Sequence, residues 1–352
     1  MRRLSSPLSL VAALLVATAA SAESAAFEPR GTWTASPSRR QDNTLHLQLQ
    51  QSPGHNMGFS EPVASFKGLS TTGGATTFTL PREAGTFHFE GQFQDGQGAG
   101  HFRFDASAAF AKTMASLGYK DLTPKAQFQL ATTNVTTQRI QGLAALGYKD
   151  LSQDALIQAG IFDVTPEYAR ALADAGYPKL TFDQLVQGRI HKVTPERVKE
   201  FTAAGLKPGN WDELTSMAIH GVTPDYAREM QRIGFKDLSN EDLVAFRIHK
   251  VTPEFVKQMR ELGFKSTDSD DIVALRIHGV TPEFMKQMRE LGFKDLTRDQ
   301  ALAFRIHKVT PEFVKQLRDA GYTNITPDEL VTLRIHGIDK VFIRAMSEKP
   351  KK

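Results

Sequence analysis

The chain has 352 residues, 40% hydrophobic and 23% charged, close to the globular average, so bulk disorder is excluded and there is length for a sizeable core. It has no cysteine, which excludes disulfides, thiolate zinc sites, cysteine nucleophiles and a lipid anchor on cysteine. Basic side chains number 43 against 39 acidic ones, and setting aside Arg2 and Arg3 halves the excess, which is too little for a broad field that would hold phosphates or anionic lipid.

Residues 1–22 read as a secretory signal peptide: Arg2 and Arg3 form the positive end, Leu8 to Ala20 the apolar run, and Ala20-Ser21-Ala22 the small residues of a cleavage site. The run is shorter than the roughly 20 residues that a spanning helix needs. No other apolar stretch approaches that length, so no membrane span is expected in the mature chain. The expected location is outside the cytoplasm, periplasmic or secreted, in a bacterium.

Residues 27–105 alternate with period two. Leu45, Leu47 and Leu49 point one way and His46, Gln48 and Gln50 the other; Phe87 with Phe89, Phe102 with Phe104, and Phe78 with Leu80 repeat the pattern. Turns are expected at Pro81–Gly85 and Asp95–Gly98. This predicts an antiparallel meander with one apolar face, too thin to be a large core by itself, that covers the open end of the helical segment beginning at residue 106; an independent binding domain is the alternative.

That segment is a repeat. Val164, Val193, Val222, Val251, Val280 and Val309 each open a Val-Thr-Pro-type start at a constant step of 29 residues; Val135 and Ala106 open fainter copies, and Ile338 a truncated last helix. In the unit from Val251, Thr252 is an N-cap, Pro253 suits the first helical position, Glu254 complements the helix dipole, and Phe255, Met259 and Leu262 share one face. Gly263 is the expected left-handed C-terminal residue, with Phe264 folding back. A second helix starts at a cap slot holding Thr181, Asn210, Ser239, Asp268, Thr297 and Thr326, with capping-box spacing at Ser239/Asp242 and Thr326/Glu329. Helices this short are marginal alone and must be held by neighbours. The expected fold class is mainly α: an α-solenoid of 29-residue helical hairpins over 106–347, eight repeats plus a terminal half repeat, behind a small N-terminal antiparallel β domain, with a basic tail at 348–352.

Three ladders run through the repeat. His191, His220, His249, His278, His307 and His336 each end a second helix, where a side chain can bond the last carbonyls; equivalent residues of stacked helices lie too far apart to share a metal ion, so none is expected to bind one. Arg189, Arg247, Arg276, Arg305 and Arg334 precede them by two residues, with Ala218 the exception. On a helical wheel Arg247 falls inside the apolar arc and should be paired, which predicts an Arg–Glu lattice with Glu196, Glu254, Glu283 and Glu312; an anion-binding groove is the alternative. The residue after each histidine alternates Lys192, Gly221, Lys250, Gly279, Lys308, Gly337, which reflects either a duplication history or alternating turn geometry.

No catalytic residue and no cofactor is predicted: zincin, nucleophile-elbow and phosphate-loop motifs are missing. Nucleic acid is disfavoured by export and near-neutral charge. Units such as IVALRIHGVTPEFMKQMRELGFKDL at 272–296 resemble a family of bacterial exported repeats, which also occur as extensions of membrane-bound zinc peptidases similar to β-lactam sensor-transducers. The resemblance implies an extracytoplasmic interaction module. The peptidase's zinc motif and membrane helices are lacking, so no catalytic residue carries over. The expectation is a non-catalytic scaffold that binds a protein or peptide of the cell envelope; the alternative is a sensory or accessory protein of envelope signalling that holds a small ligand or anion.

Overall fold

A computed structural model describes residues 27, 29–38, 42–52, 54–338 and 342. The signal peptide at 1–22, the basic tail at 348–352 and most of the half repeat that Ile338 opens lie outside the described residues. The protein is mainly α with an N-terminal antiparallel sheet. It divides into two compact units, Met1–Pro166 and Glu167–Lys352.

The first unit holds six strands: β1 (Arg30–Pro37), β2 (Thr44–Ser52), β3 (His55–Pro62), β4 (Gly74–Arg82), β5 (Gly85–Gln94) and β6 (Gln97–Ala106). Their order is β3-β2-β1-β6-β5-β4 and each pairing is antiparallel, so the chain makes two three-stranded meanders joined by pairing its first strand with its last. The simple meander expected from the sequence is thereby corrected. Its two outer strands, β3 and β4, meet at one end, where Arg82 donates to both Glu61 carboxylate oxygens, at 3.2 and 2.5 Å; Lys67, in the segment that joins them, pairs with Thr79 of β4 by backbone. The sheet thus curls until its two edge strands touch at Glu61 and Arg82.

The curl encloses an aromatic core. Trp33 meets Phe78 and Phe89 edge-on at 5.3 and 5.9 Å, and its indole N–H donates to the Glu90 carbonyl at 3.2 Å. Gly100 lies between the two partners in the strand ladder; a Cβ there would fall 2.0 Å from that carbonyl, so only glycine leaves the indole its acceptor. The same core continues into the helices α1 (Ala108–Ser116), α2 (Pro124–Thr132), α3 (Thr137–Ala145) and α4 (Gln153–Ile161). Phe128 of α2 packs edge-on against Phe87 and Phe104, both at 5.5 Å. Burying one such ring contributes about 1.5–3 kcal/mol.

The second unit is helical. First-type helices α5 (Pro166–Asp174, starting at the division), α7 (Pro195–Ala203), α9 (Pro224–Arg232), α11 (Pro253–Glu261), α13 (Pro282–Glu290) and α15 (Pro311–Asp319) alternate with second-type helices α6 (Phe182–Ile190), α8 (Trp211–Ile219), α10 (Asn240–Ile248), α12 (Ser269–Ile277), α14 (Arg298–Ile306) and α16 (Pro327–Ile335). Each spans 9 residues, so neighbours must stabilise them. Thr252 caps α11 by accepting from the Phe255 N–H at 3.1 Å, with Pro253 behind it. Capping boxes close at Ser239/Asp242 and Thr326/Glu329, as the spacing predicts, and also at Thr181/Gln184 and Thr297/Gln300. Phe255, Val256 and Met259 are buried, whereas Leu262 is the half-buried C-cap, so the apolar face is set by Val256 rather than Leu262.

Both helix types end in the same turn. Gly263 at φ 96° and Lys250 at φ 56° each take the left-handed conformation, and the next residue donates back five positions, Phe264 to Met259 and Val251 to Phe246. Gly221 and Gly279, both at φ 68°, occupy the lysine slot in alternate units with the same geometry. Alternating turn geometry therefore does not explain the Lys/Gly pattern. Among the described residues no helix is long and apolar enough to cross a membrane.

Candidate interaction surface

The arginine ladder is an inter-hairpin clamp. Arg276 lays its guanidinium 4.7 Å over the Phe255 ring of the preceding first-type helix and donates Nε–H to the His249 carbonyl at 3.0 Å, at the end of the preceding second-type helix. Arg247, Arg305 and Arg334 repeat both contacts, on Tyr226 and His220, Phe284 and His278, and Phe313 and His307; Arg189 stacks on Tyr168. Such stacks contribute about 0.5–1 kcal/mol at exposed sites, and the acceptor lies at the negative end of a helix dipole.

This corrects the predicted Arg–Glu lattice. The arginines are half-buried or exposed, not enclosed in the apolar arc, and Arg247, Arg276, Arg305 and Arg334 each reach across the ring of their own hairpin's first helix to the C terminus of the preceding hairpin's second helix. Glu196, Glu254, Glu283 and Glu312 sit instead on the exposed first turns of their own helices. Gln258 donates to Glu254 at 2.7 Å, and at Glu196 and Glu312 backbone N–H and the cap threonine hold the carboxyl below its ordinary pKa.

The histidines are C-caps by their backbone. It is the carbonyls of His220, His249, His278 and His307, not the imidazoles, that join the network. Among the described residues no group of three or more His, Asp or Glu converges on a possible metal site.

A second clamp was not foreseen from the sequence. Arg289 and Arg318, near the ends of first-type helices, donate to the carbonyls of Leu262 and Leu291, again 27 positions earlier, and Arg260 stacks on Phe235 at 5.4 Å. At the N-terminal end of the second-type helices the offset recurs: Asn240 donates to Glu213 at 2.8 Å, Ser269 to Asp242 at 2.7 Å, and Arg298 pairs with Asp271. One offset at both helix ends means one register from hairpin to hairpin. The signal was present as an Arg repeated at 260, 289 and 318, two residues before the end of each helix motif.

The exception to the arginine ladder has a structural reason. Ala218 occupies the clamp slot, and the aromatic slot beneath it holds Arg197. Arg197 donates to the Val222 carbonyl at 3.1 Å and lies 5.5 Å from the Phe201 ring centroid. Tyr168 and Tyr226, at the same slot in the flanking units, reach the equivalent Val193 and Val251 carbonyls at 2.8 and 2.6 Å. Burial pushes the Tyr168 hydroxyl up to about 12, against the opposing pull of Arg189.

What these clamps leave on the outside is a ladder of isoleucines. Ile190, Ile219, Ile248, Ile277, Ile306 and Ile335 are 48–58% exposed, one at the end of each second-type helix of the second unit. Ile161 repeats the feature in the first unit at 58%. Scattered exposed leucines need no explanation, but an apolar side chain left out at the same slot of seven successive repeats does. On the same helix face, one and two turns earlier, come Ala245 or Val244 and then the exposed Glu241. Between α8 and α10 this face forms a groove of about 460 Å³ lined by Asp212, Glu241, Val244, Ala245 and Ile248 among others. The isoleucine is legible in every RIH triplet; what hid it is that periodicity alone places it next to the core arc.

The chain matches no family model, no curated protein and no solved structure.

Proposed function

We propose that the protein is a non-catalytic exported interaction protein. Its hairpins stack as an α-solenoid, the sheet covers the N-terminal end, and the second-helix face binds a protein partner in the bacterial envelope or outside the cell. The observation that carries this reading is the isoleucine ladder, exposed at one slot in every repeat from Ile161 to Ile335. The stacking reading is supported by inter-hairpin bonds of constant 27-residue offset, and the capping reading by the core that strands and first helices share. Export rests on the sequence of residues 1–22.

The test is cross-linking capture in the envelope with the wild type and with Ile248, Ile277 and Ile306 all changed to Ser. These side chains are about half exposed, so thermal stability should hold while capture of the partner falls at least about tenfold. Equal capture by both proteins would sink the reading.

A further inference from the structure

The second-helix face has two edges of opposite sign. At the N-terminal edge every second-type helix of the second unit carries an exposed acid in one slot, including Glu241 and Asp270. At the C-terminal edge lie the arginine ladder and the exposed lysines of the turn, including Lys250 and Lys308. The isoleucines stand between.

A cation suits the helix C terminus at which these lysines stand, but the backbone of their slot favours glycine. Lys250 and Lys308 hold φ at 56° and 57°, a left-handed conformation that costs an ordinary L residue roughly 1–2 kcal/mol and glycine almost nothing. Glycine does fill the slot in alternate units, at Gly221 and Gly279, where the tip of the next arginine lies 3.2 and 2.9 Å from where a Cβ would stand. The side chains of Lys250 and Lys308 make no hydrogen bond or ion pair among the described residues. A retained strain with no side-chain partner inside the chain points to a partner outside it.

A face ordered acid, isoleucine, base is its own complement. Turned about a two-fold axis along the hairpin stack, it sets its acidic edge against the basic edge of its mate and isoleucine against isoleucine; a two-fold across the stack would instead oppose like charges. A chain with almost balanced charge carries little net repulsion against such pairing. We propose that the occupant of this face is a second copy of the same chain, joined in an isologous pair with the axis along the stack. This rests on the reading of the face as a protein-binding surface and names its partner.

Sedimentation equilibrium of the purified protein tests it by charge exchange. Wild type should form a concentration-dependent dimer that weakens with added salt. Two variants are compared, Lys250→Glu with Lys308→Glu and Glu241→Lys with Asp299→Lys, because an axis along the stack sets each turn against the acid of the same helix in the mate; all four positions are exposed, and circular dichroism confirms folding. Each variant alone should dimerise at least about tenfold more weakly, and an equimolar mixture should recover a heterodimer, because each reversed face complements the other. A wild type that stays monomeric, or a dimer that ignores both reversals, would overturn the proposal. If capture of a different protein still depends on the isoleucines, the interaction reading stands and only the second copy is wrong; if capture ignores them too, both fall.

Discussion

At the residue scale the informative position is the one that breaks the pattern. Wherever a clamp arginine is present an aromatic ring lies beneath it, and where the ring becomes Arg197 the clamp becomes Ala218. Two guanidiniums cannot share one slot without repulsion, and a cation over a ring gains from the ring's quadrupole. Ala218→Arg alone should therefore destabilise by about 1 kcal/mol, and adding Arg197→Phe should recover most of that loss. A double-mutant cycle by urea unfolding measures the coupling; additive effects would show that the two slots do not meet.

At the scale of the element, stability resides in helix ends. Each helix has too few residues to persist alone, and caps, boxes and inter-hairpin bonds all converge on its first and last turns. Asp242 combines these roles, since it closes the box with Ser239 and accepts from Ser269 of the next hairpin. Burial opposes its charge, but the hydrogen bonds from Ser239 and Ser269 outweigh burial and hold its pKa below the ordinary value. A carboxyl depressed on folding contributes fully above its unfolded pKa of about 3.9, and that contribution is lost as pH falls through the folded value. Asp242→Asn should then be less stable than wild type by roughly 1 kcal/mol at pH 7, with the gap closing below about pH 4. Urea midpoints at stepped pH decide this, and a gap that persists undiminished at about pH 2 would contradict it.

At the scale of the molecule, the constant offset makes the hairpin a unit of exchange. Deleting Val251 to Gly279 removes one whole unit, and Arg305 then meets the His249 carbonyl in place of that of His278. Such a protein should keep a single cooperative melt with a midpoint lowered by roughly 2–8 °C. Deleting two residues fewer, Val251 to Ile277, sets Arg305 29 positions after His249 instead of 27, breaks the clamp at that junction alone, and should lower the midpoint further than the whole-unit deletion. Calorimetry of the two deletions distinguishes register from mere length.

Local structure is written in the order of neighbouring residues. Threonine caps, Pro at the first helical position, Gly in the left-handed slot and period-two strands each act through backbone geometry within a few residues, so a helix such as α11 and a strand such as β2 were legible directly. The outermost strand β3, with its weaker alternation, was not. Which groups meet between hairpins is settled by packing in three dimensions. Arg276 had a carboxylate at plausible spacing on either side, yet it faces the preceding hairpin, and a ring with a helix terminus became its partners. The isoleucine ladder belongs to the same class of fact. On a helical wheel Ile248 lies beside the core arc, and its exposure follows from the packing of whole hairpins, a long-range arrangement that residue order does not express.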